Sequence, residues 1–267
     1  MPYADANGQR LYYEDTGGTG PAIIFSHGLL LDGTAFAPQV AALRDRYRCI
    51  TWDERGHGRT AGERLDPFSY YDSADDAAAL LAFLGIDNAI LAGVSQGGFL
   101  GMRCALTHAE RVRALILIAS QTGIDDAATL QGYQQLFDGW IANNLPEKIA
   151  TMIENIILGP GYPDAPAWKE KWRAMTVPNL ASAFDALVRR DDIGAKVSAI
   201  HVPTLIIHGD ADAAIPLAKA RAMQASIANA ELAVVEGGHS VNTTHPAAVN
   251  AAIESFLARH GLQETGL

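Results

Sequence analysis

Ser95 stands in the run Gly93-Val94-Ser95-Gln96-Gly97, with Gly98 next. An apolar stretch, Ala89-Ile90-Leu91-Ala92, leads into it, and a helix-compatible stretch from Phe99 to Leu106 follows. A serine hydroxyl is a weak nucleophile until a neighbouring base withdraws its proton. A Gly-x-Ser-x-Gly turn between strand and helix favours that chemistry in two ways. The near-absent side chains on either side permit a tight, strained turn that lifts the hydroxyl off the sheet. The helix start behind it offers free amides and partial positive charge to a developing oxyanion. Five residues recur by chance in unrelated turns, so the weight falls on the groups that must accompany the serine.

A serine nucleophile needs a base, and the base needs an orienting group. His239, in Glu236-Gly237-Gly238-His239, follows a strand-like run on a glycine-rich loop. His57, flanked by Gly56 and Gly58, has a similar setting but precedes the serine, whereas the chain order for such elbows is serine, acid, histidine. His208 ends a strand-like run too near the acid candidates in sequence to face them, and His108, His201, His245 and His260 read as surface or helix-end residues. His239 is the expected base. The segment from His208 to Pro216 offers two carboxylates, Asp210 and Asp212, and either can equally stabilise a turn. The oxyanion requires backbone donors fixed in advance. One is the Gln96 amide; the second is placed at Leu29, in the loop Ser26-His27-Gly28-Leu29-Leu30-Leu31, with His27 buttressing the loop.

These residues sit at the ends of short apolar runs that alternate with helix-length segments. Ala22 to Ser26, Arg48 to Trp52, Ala89 to Ala92, Ala114 to Ile118, Thr204 to Ile207 and Glu231 to Val235 read as strands, with Arg10 to Glu14 as an edge strand. Ser73 to Leu84 reads as a helix, capped by Ser73 with Asp76 three residues on and stopped by Gly85. Ala247 to His260 is the closing helix. Such alternation implies a parallel sheet covered on both faces, with chemistry at the carboxyl ends of its strands.

The rhythm breaks between Ile118 and Val202. There the segments 125–143, 147–158, 165–175 and 180–191 read as helices, forming an expected cap over the active face. The core is assigned to 1–120 and 198–267, the cap to 121–197. Phe137, Trp140, Trp168, Trp172 and Phe184 are candidates to line its underside; one or two are expected to do so, with Phe137 and Trp140 favoured alongside Leu30 and Leu31.

His27-Gly28, Asp53 to Gly58, Gly93 to Gly98, Gly209 to Pro216 and Gly237-Gly238-His239 occur in an order and spacing that resembles the α/β-hydrolase superfamily over essentially the whole chain. The resemblance implies an α/β fold with a mostly parallel central sheet flanked by helices and a helical cap after the sixth strand. From its Gly-x-x-Asp-x-x-x-Pro pattern it selects Asp212 as the acid and leaves Asp210 to cap the turn. Arg55 and His57 become braces of the active-site floor. Ser26 to Gly33 is similar to small aryl-esterases and cofactor-free haloperoxidases and, more distantly, to enol-lactonases, whose elbows often carry Met in place of Gln96. The implied function is hydrolysis of esters or lactones through an acyl-enzyme. Acyl transfer to an alcohol or peroxide, C–C cleavage, lyase chemistry and a ligand-binding receptor remain as alternatives.

With 267 residues, 49% hydrophobic and 19% charged, the chain is of ordinary globular composition and can bury one large core with a modest insertion. A net charge of −10 argues against nucleic acid or anionic membrane as a partner. No apolar run approaches the ~20 residues that span a bilayer. The amino terminus has no basic-then-apolar leader, so a cytoplasmic location is expected. Cys49 and Cys104 read as buried apolar residues. No metal-ligand cluster and no nucleotide-binding glycine motif stand out, so no metal or cofactor is expected. Homo-oligomer formation is left open.

Overall fold

The computed structural model describes residues 2–60 and 66–263. The chain opens with β1 (Tyr3–Ala6) and β2 (Gln9–Asp15), joined at Asn7 and Gly8 with φ of 48 and 71. Asn-Gly tolerates two successive positive φ values, which suits a tight hairpin. Next come β3 (Ala22–Ser26), β4 (Arg48–Trp52), β5 (Ala89–Val94), β6 (Val112–Ile118), β7 (Thr204–Gly209) and β8 (Ala230–Val235). They form one sheet in the order β1-β2-β4-β3-β5-β6-β7-β8. The pairs involving β2 are antiparallel and all others parallel. The run expected at the edge therefore lies inside the sheet, and the edge is β1, whose single buried residue, Ala4, gives too little apolar pattern to read.

The described helices are α1 (Ala37–Leu43), α2 (Tyr70–Phe83), α3 (Gln96–Thr107), α4 (Ala127–Asn143), α5 (Glu147–Ile157), α6 (Ala165–Ala174), α7 (Val177–Val188), α8 (Leu217–Ser226), α9 (Val241–Thr244) and α10 (Pro246–Arg259). Successive strand side chains face opposite ways. Ile23, Phe25, Ile90 and Ala92 thus pack on one face with Leu43 of α1 and Ile253 of α10. Ile24, Leu91 and Leu115 pack on the other with α2, α3 and α8. Helix α2 starts one turn earlier than expected. Ser69, not Ser73, makes the capping box, with Asp72. Two Ser-x-x-Asp runs follow one another here, and the second is buried: Asp76 takes a bidentate bond from Arg55 at 2.6 and 2.7 Å.

Helices α4 to α7 lie between β6 and β7. Their two ends are tied by Arg190 and Asp125 at 2.9 Å, and Arg103 of α3 grips Asp191 at 2.6 Å.

The sheet order reverses direction around β3, which lies between β4 and β5, so a crevice opens at the carboxyl ends of β3 and β5. Glycines bring α3 hard against that point. A β-carbon on Gly97 would lie 2.0 Å from the Ser26 carbonyl oxygen, and one on Gly93 2.2 Å from the Gly97 carbonyl carbon. Both obstacles are backbone, which cannot swing aside. Gly97→Ala is expected to lose about 3 kcal/mol in urea unfolding. A loss under about 0.5 kcal/mol, within the range of a neutral surface change, would show that α3 and β3 are not so closely seated.

Candidate active site

Ser95 joins β5 to α3 with φ 53 and ψ −112, a region nearly closed to residues with a side chain. Four bonds hold it there. Its amide donates to Ile118 O at 2.8 Å, and its carbonyl accepts from Gly98 N, Phe99 N and Ser120 Oγ at 2.9, 3.2 and 3.0 Å. The structure brings Ser95 and His239 to the wall of one cavity of about 960 Å³, its solvent-filled mouth included.

His239 follows β8, and its Nδ1 lies 2.9 and 3.1 Å from the two carboxylate oxygens of Asp212. A carboxylate only accepts, so Nδ1 is the donor of this pair, which in the neutral imidazole leaves Nε2 as the acceptor. The Asp212 side chain is fully buried. Its Oδ1 also accepts from the amides of Ala214 and Ile215 at 2.8 and 2.9 Å. Burial works to raise this carboxyl, but the charge and hydrogen bond of His239 and the Ile215 amide outweigh it and hold it below the usual carboxylate range. Asp210 is exposed and accepts from Gly237 N at 3.1 Å, a clip across the loop that carries His239. His208 does meet the acid, contrary to expectation. Its Nε2 donates to Ile215 O at 2.7 Å and lies 3.5 Å from Asp212 Oδ2, on the buried side.

Gln96 follows Ser95 directly in the chain, and Leu29 lines the same cavity. A β-carbon on Gly28 would touch Ser95 Cβ at 3.5 Å, so the loop after β3 lies against the elbow. Among the described residues neither amide has an acceptor. The loop is stiffly made. Leu31 N and His27 Nδ1 both donate to Gly28 O, at 3.0 and 2.8 Å, and His27 Nε2 accepts from Glu54 N at 2.9 Å. Leu30 sits at φ 64, strained for a leucine, and its carbonyl accepts from the buried Trp172 indole at 2.8 Å. Burial pulls the His27 and His57 imidazoles down to about 4 and about 3, so both are uncharged supports.

Leu30, Leu31, Phe137 and Trp140 all line the cavity. Phe184, stacked on Phe137 at 4.4 Å, adds a third aromatic from the candidate set to the lining. Trp168 and Trp172 face the interior of the insertion and the Leu29 loop instead. Tyr133, Gln121 and Asp125 also line the cavity. They went unread because no local pattern marks them.

Glu54 went unread as well. It is buried behind the elbow, where Gln96 Nε2 donates to its Oε2 at 3.3 Å and its Oε1 has no donor. Burial, then the charge of Asp76, push its carboxyl well above the usual range, against the pull of Gln96 and Arg55. Folding therefore takes up a proton above the unfolded pKa near 4.5, and stability falls as pH rises from there. Glu54→Gln is expected to flatten that slope, seen as a stability gain over wild type that grows as pH rises above about 5 in urea unfolding. Parallel profiles would place the carboxyl in its ordinary range.

The family model for the alpha/beta hydrolase fold matches residues 21–246. The chain belongs to this family. A non-heme haloperoxidase from Rhodococcus erythropolis is 31% identical over 96% of this α/β-hydrolase chain and 99% of its own. A 3-oxoadipate enol-lactonase from Acinetobacter baylyi is 29% identical over 90% and 89%. Among solved structures, a thermophilic esterase from Thermogutta terrifontis superposes with a TM-score of 0.84 at 25% identity, covering 94% of each chain. Among the described residues no His, Cys, Asp or Glu cluster is arranged to hold a metal ion, and no helix is long and apolar enough to cross a membrane.

Proposed function

We propose that this α/β-hydrolase cleaves carboxylic esters or lactones through a covalent acyl-enzyme. One observation carries the reading: an imidazole tautomerically fixed by a buried carboxylate shares a cavity with a serine on a strained elbow. Ser95 Oγ attacks the carbonyl carbon while its proton passes to His239 Nε2. The Leu29 and Gln96 amides hold the oxyanion, and Asp212 stabilises the imidazolium. Collapse breaks the bond to the leaving oxygen, which takes the proton from His239. Water then adds to the acyl carbon, giving a proton to His239, which returns it to Ser95 Oγ as the acid leaves.

Residues 121–197 act as a cap in this reading. They supply Phe137, Trp140 and Phe184 to the cavity wall, and Ile157 O accepts from Ser240 N at 3.0 Å, next to the base. The apolar lining favours small hydrophobic substrates, and the enol-lactonase name of one relative fits lactone opening by the same acyl-enzyme route. The test is turnover of p-nitrophenyl esters of graded acyl length, and of simple lactones, by wild type and Ser95→Ala. Ser95-dependent release of acid supports the reading. Folded wild type that turns over none of them overturns it.

A further inference from the structure

Away from Ser95, His239 and Ser240, the polar groups on the cavity wall gather in one corner made by Gln121, Asp125 and Tyr133. Gln121 Nε2 donates to Asp125 Oδ1 at 2.8 Å, and Arg190 donates to Oδ2 at 2.9 Å. Each carboxylate oxygen can accept a second bond, so Asp125 keeps free lone pairs where it meets the cavity. Gln121 has its amide nitrogen committed to that carboxylate, which leaves Oε1, buried and without a donor. The Tyr133 hydroxyl has no hydrogen-bond partner among the described residues, and burial with the charges of Asp125 and Asp212 raises it to about 12, so it stays protonated. The corner is rich in acceptors and short of donors.

Its positive charge is out of reach. Arg190 stands behind Asp125, its side chain 2% exposed and its guanidinium 4.7 Å over the Phe99 ring. Among the described lining residues none is Lys or Arg. An anionic group entering the cavity would face the Asp125 carboxylate with no cation opposite, and the Tyr133 hydroxyl would be the one donor this corner offers it. A hydroxyl or amide N–H would instead satisfy acceptors that are otherwise unpaired.

We infer that the cavity selects uncharged esters or lactones bearing a hydrogen-bond donor on the arm that reaches Gln121, Asp125 and Tyr133, and discriminates against anionic ones. This rests on the hydrolase reading of the same cavity.

The test compares kcat/KM for p-nitrophenyl esters in matched triplets, an ω-hydroxy acyl chain, its isosteric methyl-ended chain and its ω-carboxylate, over a series of chain lengths. At the best length the hydroxy ester is expected to exceed the alkyl ester by about tenfold, and the carboxylate to fall about a hundredfold below it. Because Asp125 also ties the insertion's ends, the variants are Tyr133→Phe and Gln121→Leu, which should each bring the hydroxy-to-alkyl ratio toward unity. Ser95-dependent turnover with no hydroxyl preference at any length overturns the inference alone. So does a preference that survives in both variants. Absence of Ser95-dependent turnover for every ester overturns the hydrolase reading and the inference with it.

Discussion

Ser95→Gly is expected to abolish turnover, by about four powers of ten or more, and at the same time to make the protein more stable than Ser95→Ala. Both variants lose the proposed nucleophile. They differ in what they do to φ 53 and ψ −112, which glycine adopts freely and alanine does not. The stability gap should be about 1 kcal/mol by urea unfolding, the low end for a residue held in a sparsely populated conformation. Equal stabilities would mean that the elbow is not strained. Near-full activity in either variant would remove Ser95 from the chemistry.

Asp212→Asn is expected to lower kcat by about four powers of ten with the fold intact, through a tautomer rather than a lost charge alone. Oδ1 of Asp212 is claimed by the Ala214 and Ile215 amides, so the asparagine oxygen must stay there. Its NH₂ then takes the place of Oδ2, 2.9 Å from His239 Nδ1. A donor facing Nδ1 forces the proton onto Nε2, and an imidazole protonated there cannot accept from Ser95. Steady-state kinetics with thermal unfolding as a control tests this. An asparagine variant within tenfold of wild type would show that the carboxylate does not set the tautomer.

Legibility of the site in the sequence followed the range of the forces involved. The elbow is local: Gly93 and Gly97 are dictated by backbone contacts within the turn and with Ser26, and Gly98 by the Ser120 side chain, so the pentapeptide announces it. His239 could be read because a strand end and a pair of glycines deliver it. Asp210 and Asp212 could not be separated by residue chemistry, since both are short carboxylates in one loop and the choice depends on which side chain turns inward. Gln121, Tyr133 and Glu54 are set by contacts between segments far apart in the chain, and nothing beside them in sequence marks the event. The start of α2 failed for a related reason. Ser69 and Ser73 offer equivalent caps, and what decides between them is Arg55, eighteen positions before the second, reaching the carboxylate of Asp76.

The indole of Trp172 donates to Leu30 from α6, so if residues 121–197 serve as the proposed lid, one of its helices reaches into the loop that carries the proposed oxyanion donor. Recognition and chemistry are therefore not freely exchangeable parts in this molecule. A chimera that receives its lid from another member of the family would inherit new walls for its substrate and lose the peg that steadies the loop beneath. Its failure would show as sluggish turnover of substrates it still binds, and returning one tryptophan to the graft is the economical repair.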